Sequence, residues 1–360
     1  MKILVIPNRG RSYHAVRPEA ECYIGLAKAG HDITIMTCDT NAYIEEYKKA
    51  GLTIIPLRSL KKHSWAVIKQ VHHYIKANAI DIVYATESKG IPNAAFGCIG
   101  TKAKMIAYRG TTGGLYKSDI SNYLCMLHPR IDGAICVSEA VTKYVKPKMR
   151  EVIQPNVITI YKGHDLAWYQ GDAVELSSLH TQSGNFNVVC IGSPRSQKGM
   201  RYMLDAIKEL SDIDNIRLIL IGDNFDCEPY ISDIKATGMN DKIIQTGFRS
   251  DVPQIAKACD VLILPSEREG LPRVVLESLA VGTPVITSAN EGAMEIIEDK
   301  VNGYVVPIGE GEAIAERIRF LSKNTELLKQ LSIHAQKTIT TKMSHKRTVQ
   351  NMENYFQAML

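Results

Sequence analysis

The stretch "VLILPSEREGLPRVVLESLAVGTPVITS", residues 261–288, decides the fold. "VLIL" is an apolar run of strand length, and "PSEREGLP" is the loop leaving its carboxyl end. "RVVLESLAVG" has helical periodicity and stops at Gly282, after which "TPVITS" is the next strand. Pro272 suits the first helical turn, where its missing N–H would have no partner in any case. Strand, helix and strand in this order make a parallel sheet covered by helices.

The alternation extends in both directions. Upstream, "NFNVVCIGS" and "IRLILIGD" are strands separated by the helix "GMRYMLDAIKELS", and "KIIQTGF" follows the helical "YISDIKATG". Downstream come "GYVVPI" and helix to the end. The first half repeats the pattern with "KILVIP", "HDITIMT", "GLTIIPL", "DIVYAT", "AKMIAYRG" and "DGAICVS", and around residues 151–184 it lapses into a connector. The expectation is an α/β protein of two tandem doubly wound, Rossmann-like parallel-sheet domains facing a cleft. Ligands belong at the carboxyl ends of such strands. The first domain spans residues 1–160 and is rejoined by a final helix at 344–360; residues 161–184 link it to the second, 185–343. Neither half carries GxGxxG after its first strand, which argues against a nicotinamide dehydrogenase.

The chain has 360 residues and is 45% hydrophobic, enough for two cores. Charge is uneven: residues 1–165 hold 23 basic against 13 acidic side chains, the remainder 20 against 25. A basic half attracts nucleic acid, an anionic membrane surface or an acidic substrate. In "RSLKKHSWAVIKQVHHYIKANAI" Trp65, Ile68, Val71 and Ile75 fall on one helical face, with Lys61, Lys62, Lys69 and Lys76 away from it. That is a helix covering the sheet with solvated lysines, or a face for peripheral membrane contact or an anionic acceptor. The basic residues are spread without aromatic interleaving, against nucleic-acid binding. Eight cysteines stand singly, with no CxxC pair. They fit reduced thiols in the cytoplasm, with neither disulfides nor a zinc site. No run of eighteen apolar residues marks a membrane span, and "MKILVIPNRG" is too short and strand-like for a signal peptide.

Glu269 and Glu277 straddle the start of a helix whose free N–H groups and dipole suit a diphosphate. A carboxylate at the lip and another two turns in match the sugar and the ribose of a nucleotide sugar. A glycoside hydrolase also uses two carboxyls, but one must stay protonated in an apolar pocket; beside a helix N-terminus a carboxyl is expected to be ionised. Alternatively, Glu269 is a helix-entry charge and Glu277 a surface residue. "GSPRSQKGM" adds Arg195 and Lys198 in a loop opening onto a helix, where cations could neutralise a departing diphosphate. Gly292, in "SANEGAME", lets backbone approach a phosphate closely.

With these residues in place, the second half resembles the retaining, GT-B-fold glycosyltransferases of family 4, often called group 1. "EGLPRVVLE" fits their pair of glutamates separated by seven residues; "GFRSDVPQIAKACDVLILPSER" and "SLAVGTPVITSANEGAMEIIEDKVNGYVV" are similar to its flanks, and Gly222-Asp223 to their "IGD" turn. In the first half "PEAECYIGLAKAGHDITIMT", "IDGAICVSEAV" and "IQPNV" match recurring segments. The resemblance implies transfer of a sugar from a nucleoside-diphosphate sugar, uridine by prevalence, to an acceptor hydroxyl, with no metal or other cofactor. Glu277 would hold the ribose and Glu269 the donor sugar. Lys198, with Arg195, would bind the diphosphate. Gly270, Leu271, Arg273 and Val274 would give backbone contacts, and Gly247, Phe248 and Arg249 would flank the base. Gly222, Gly10 and Gly292 complete the donor side.

Three positions depart from the pattern. Ser193 stands where the family has an arginine; only Gly10 lies between Arg9 and Arg11 in the first loop; and "YRGTTGG" offers Arg109 and Thr111 where a histidine is usual. Arg109 is therefore the first domain's candidate catalytic contact, with His14 and Arg11 on the acceptor side. The basic first domain suits an anionic or lipid-linked acceptor, as in lipopolysaccharide or capsule synthesis. A nucleotide-sugar epimerase on the same fold, or a non-catalytic nucleotide-binding protein, are the alternatives.

Overall fold

In the computed structural model, residues 1–8, 13–57 and 61–360 are described, and their strands form two separate, wholly parallel sheets. The chain divides into two compact units, Met1–Gly163 with His345–Leu360, and His164–Ser344. Of the stretch read as a linker, 161–163 belong to the first unit and 164–184 to the second.

The first sheet holds β1 (Lys2–Ile6), β2 (Asp32–Thr37), β3 (Thr53–Pro56), β4 (Ile82–Ala85), β5 (Lys104–Arg109), β6 (Gly133–Cys136) and β7 (Val157–Thr159), in the order β3-β2-β1-β4-β5-β6-β7. The second holds β8 (Phe186–Ile191), β9 (Ile216–Ile221), β10 (Ile243–Gln245), β11 (Val261–Leu264), β12 (Val285–Ser288) and β13 (Gly303–Val306), in the order β10-β9-β8-β11-β12-β13. Central strands such as "IVYA" and "VLIL" are buried at every position, as expected where helices cover both faces. In each sheet the order reverses beside the first strand, at β1/β4 and β8/β11. Such switch points open a crevice at the strands' carboxyl ends.

Two expectations need correction. β7 lies inside the stretch read as connector: only three residues long, it pairs with β6, Ala134 facing Val157, and is too short for periodicity to reveal. The helix Trp65–Asn78 buries Val67, Ile68, Val71 and Ile75, but Trp65 at its first position is 74% exposed. A residue at the first turn can point beyond the packed face, so the stripe starts at Val67.

The first unit encloses a buried ion pair. Glu19 Oε2 accepts from Lys162 Nζ at 2.5 Å, while its Oε1 accepts from Tyr23 Oη at 2.9 Å and the Thr86 hydroxyl at 2.5 Å. Burial pushes the Glu19 carboxyl upward, but Lys162 and these hydrogen bonds bring it below its ordinary value. The terminal helix His345–Ala358 returns to this unit, burying Met352 and Phe356 in its core. No helix among the described residues is long and apolar enough to cross a membrane.

Candidate active site

The loops after β8 and β11 meet at the second sheet's switch point. Glu267 N donates to Gln197 O at 2.9 Å, Arg268 Nη2 to Gln197 Oε1 at 3.3 Å, and Lys198 Nζ to Glu269 Oε1 at 2.7 Å. Tyr202 Oη, on the helix Met200–Lys208, donates to Glu267 Oε1 at 2.8 Å. Gly199 makes this closeness possible: its φ is +65°, and a Cβ there would collide with the carbonyl of Pro265. Gly292 closes the other side, since a Cβ on it would lie 2.5 Å from Gly270 O and 2.6 Å from Glu269 O. Asn290 prepares that approach, its side chain accepting from Ala293 N at 3.0 Å and donating to Ser266 O at 3.2 Å. Lys198, Glu269, Gly270 and Gly292 thus form one wall.

The helix after this loop runs Arg273–Ala280, with Pro272 as a cap that offers no side-chain hydrogen bond. The N–H groups of Arg273 and Val274 face away from any preceding turn, as at every helix start, so they are available to an anion. Glu277, the helix's fifth residue, is only 3% exposed. Arg273 Nε lies 3.1 Å from its Oε1, close enough for attraction, but the alignment is not that of a hydrogen bond and that oxygen accepts none from the described residues. Burial raises the Glu277 carboxyl from 4.5 to about 7, against the pull of Arg273. The ionised state expected beside a helix start is therefore not what this carboxyl has: it sits one turn too deep, where loss of water outweighs the helix dipole. Ser266 Oγ, also buried, has no hydrogen-bond partner among the described residues.

The other donor-side candidates occupy the neighbouring strand ends. Gly222 N donates to Gly247 O at 3.0 Å, and Gly222 packs on the carbonyl of Gly192. Phe248 is exposed, while Arg249 is held by two bonds to Asp251, at 2.8 and 2.6 Å. Arg195 is exposed in the turn before Lys198, whose N–H donates to its carbonyl at 2.8 Å. Leu271 is half-buried. Sequence reasoning missed Tyr202, Ser266 and Asn290. Asn290 carried a signal, an asparagine just ahead of "EGAM"; the Tyr202–Glu267 contact spans 65 positions and carried none.

In the first unit, Arg109 ends β5. Its Nε donates to Thr111 O at 3.0 Å and its Nη2 to Gly113 O, and it lines a recess of about 270 Å³. His14, half-buried at the start of the helix Tyr13–Lys28, stands edge-on to Tyr13 with ring centres 5.8 Å apart. Gly10 and Arg11 lie outside the described residues. Among the described residues no three His, Cys, Asp or Glu side chains gather closely enough to hold a metal ion.

Comparison with known proteins gives matches in both halves. Residues 176–338 match the family model of glycosyl transferases group 1, and residues 21–168 that of glycosyltransferase family 4. EpsD of Bacillus subtilis is 32% identical over 164 residues, 45% of this chain and 43% of its own length. An uncharacterized glycosyltransferase of Methanocaldococcus jannaschii is 26% identical over 93% of this chain and 92% of its own. The UDP-Gal:alpha-D-GlcNAc-diphosphoundecaprenol alpha-1,3-galactosyltransferase of Escherichia coli is 27% identical over 67% of this chain and 66% of its own. Among solved structures, Anabaena HepE in complex with UDP superposes with a TM-score of 0.78 at 21% identity, covering 99% of this chain and 100% of its own.

Proposed function

The chain is a group 1 glycosyltransferase of the GT-B fold, and from that premise we propose that it moves a sugar from a UDP-sugar to an acceptor hydroxyl with retention of anomeric configuration. One observation carries the reading: Glu277 is buried behind an uncapped helix start, keeps an oxygen without a hydrogen bond among the described residues, and shares its loop with the Lys198–Glu269 pair. Ribose hydroxyls are the donors that carboxyl lacks, and the diphosphate takes the N–H groups of Arg273 and Val274. Gly270 and Leu271 add main-chain contacts, and the base lies by Gly247, Phe248 and Arg249. HepE was solved with UDP, which supports uridine.

Lys198 then divides its ammonium between Glu269 and a phosphate oxygen, which frees Glu269 to accept from a hydroxyl of the donor sugar. As the sugar–phosphate bond stretches toward an oxocarbenium-like state, charge gathers on the diphosphate. Lys198, Arg195 and the helix start stabilise it without a divalent metal. One such preorganised donor contributes on the order of a hundredfold in rate. The first unit supplies the acceptor side through Arg109, His14 and Arg11. The relationship to the Escherichia coli galactosyltransferase supports a role in cell-envelope glycan synthesis. The epimerase alternative is not favoured, since both family models are those of glycosyltransferases.

The test is a thermal-shift panel of UDP-, GDP- and ADP-sugars on the wild type and Glu277→Ala. The reading requires that UDP-sugars raise the melting temperature of the wild type and that the substitution abolish the rise. A panel with no stabilising nucleotide sugar would refute it.

A further inference from the structure

The recess at the end of β5 has a composition that the donor chemistry does not use. Lys62, Ser88, Arg109, Thr111, Ser121 and Asn122 contribute to its lining, which includes no aspartate or glutamate. Neither Lys62 nor Arg109 makes an ion pair with a carboxylate among the described residues. Two of the guanidinium's donor positions are fixed by the carbonyls of Thr111 and Gly113, which hold the charge in place and leave the rest of the fork available. A pair of cations in a half-enclosed pocket is uncompensated charge, and a dianion is the ligand that balances it.

The rim beside this pocket is apolar. Ile120 is 80% exposed, and Tyr116, Tyr123, Leu124 and, next to the lysine pair, Trp65 are exposed as well. The rim is built rather than loose: the Tyr144 hydroxyl accepts from Leu115 N at 3.1 Å and donates to Leu115 O at 3.0 Å. Asp119 caps the short helix Ile120–Tyr123 through Ser121 N at 2.9 Å, and Asn122 Nδ2 donates to Tyr116 O at 3.2 Å. Several large apolar side chains held outward beside a charged pocket mark a binding surface.

The geometry points to this recess as the binding site for a phosphate ester of a long-chain alcohol, its phosphate between Lys62 and Arg109 and its hydrocarbon along Tyr116, Ile120, Tyr123 and Leu124. Two cations suit a phosphate or diphosphate better than a single carboxylate, and a plain anionic sugar would leave the rim without an occupant. Calling this ligand the acceptor rests on the glycosyltransferase reading; the site itself does not.

Farnesyl phosphate, held below its micelle-forming concentration, is a suitable probe. In a Trp168→Phe background the emission of Trp65 reports the rim directly, because these are the chain's only tryptophans. The expected result is a saturable blue shift, weakened about tenfold or more by Lys62→Ala and by Ile120→Ser. Farnesol and inorganic phosphate should each bind at least about tenfold more weakly than the ester. UDP-induced thermal stabilisation, read on the same variants, should persist and show them folded. Equal binding of farnesol, or an unchanged affinity in folded Lys62→Ala, would overturn the assignment. So would binding only to phosphatidylglycerol vesicles, which would make the rim a bilayer contact instead. Loss of UDP stabilisation in the wild type would refute the donor reading and leave this one standing.

Discussion

Glu277 couples the pH response of the free protein to that of its complex. Its carboxyl titrates near 4.5 in an unfolded chain and about 7 in the fold, so the folded state holds the proton longer. The stability this contributes is complete below pH 4.5 and is lost as pH rises through 7, a cost of ~3 kcal/mol above that point. Glu277→Gln should therefore melt higher than the wild type at pH 8 and equally at pH 4, measured without ligand. Donor affinity should run the other way, rising through pH 7 as the carboxylate forms, and should be flat in the glutamine variant. At the opposite end of the loop, Glu269→Ala should lower kcat by about a hundredfold with little change in donor KM, whereas Glu277→Ala should chiefly raise donor KM; steady-state kinetics separate the two. The sequence spacing of the two glutamates pointed to a nucleotide sugar. That Glu277 is protonated through burial was not legible, because burial depends on helices packed from elsewhere in the chain.

The two loops after β8 and β11 behave as a single element, joined by Lys198–Glu269, Gln197–Glu267 and two glycines that tolerate backbone contact. Gly292→Ala tests this. Its new methyl would press on the carbonyls of Gly270 and Glu269, displacing the wall by several tenths of an ångström. The expected outcome is a loss of about tenfold or more in donor affinity by calorimetric titration, with the far-ultraviolet circular dichroism unchanged. The strands flanking these loops were legible as long apolar runs, since both of their faces are covered. β7 was not: three residues against one neighbour carry no period. Nor was the outward turn of Trp65, which sits where helical periodicity has only begun.

Across the whole molecule, the same doubly wound pattern occurs twice, and the last sixteen residues return to the first copy. Phe356 is fully buried with its ring 5.6 Å from that of Tyr84, and Tyr355 Oη donates to Asn156 O at 2.6 Å. Phe356→Ala should cost the first unit about 3–5 kcal/mol. Calorimetry should then show an early transition that UDP does not move, followed by one that UDP raises. The tandem arrangement was readable from the restart of strand and helix alternation after residue 184; the linker's assignment was not, because its side chains pack by shape and without period. The central claim concerns where the donor lies, so the most direct measurement is a crystal structure with a bound UDP-sugar. The account predicts the diphosphate on the N–H groups of Arg273 and Val274, a ribose hydroxyl within hydrogen-bond distance of Glu277, and Lys198 turned toward a phosphate oxygen. A nucleotide seated away from the 273–280 helix, or a Glu277 that touches no part of it, would contradict the account.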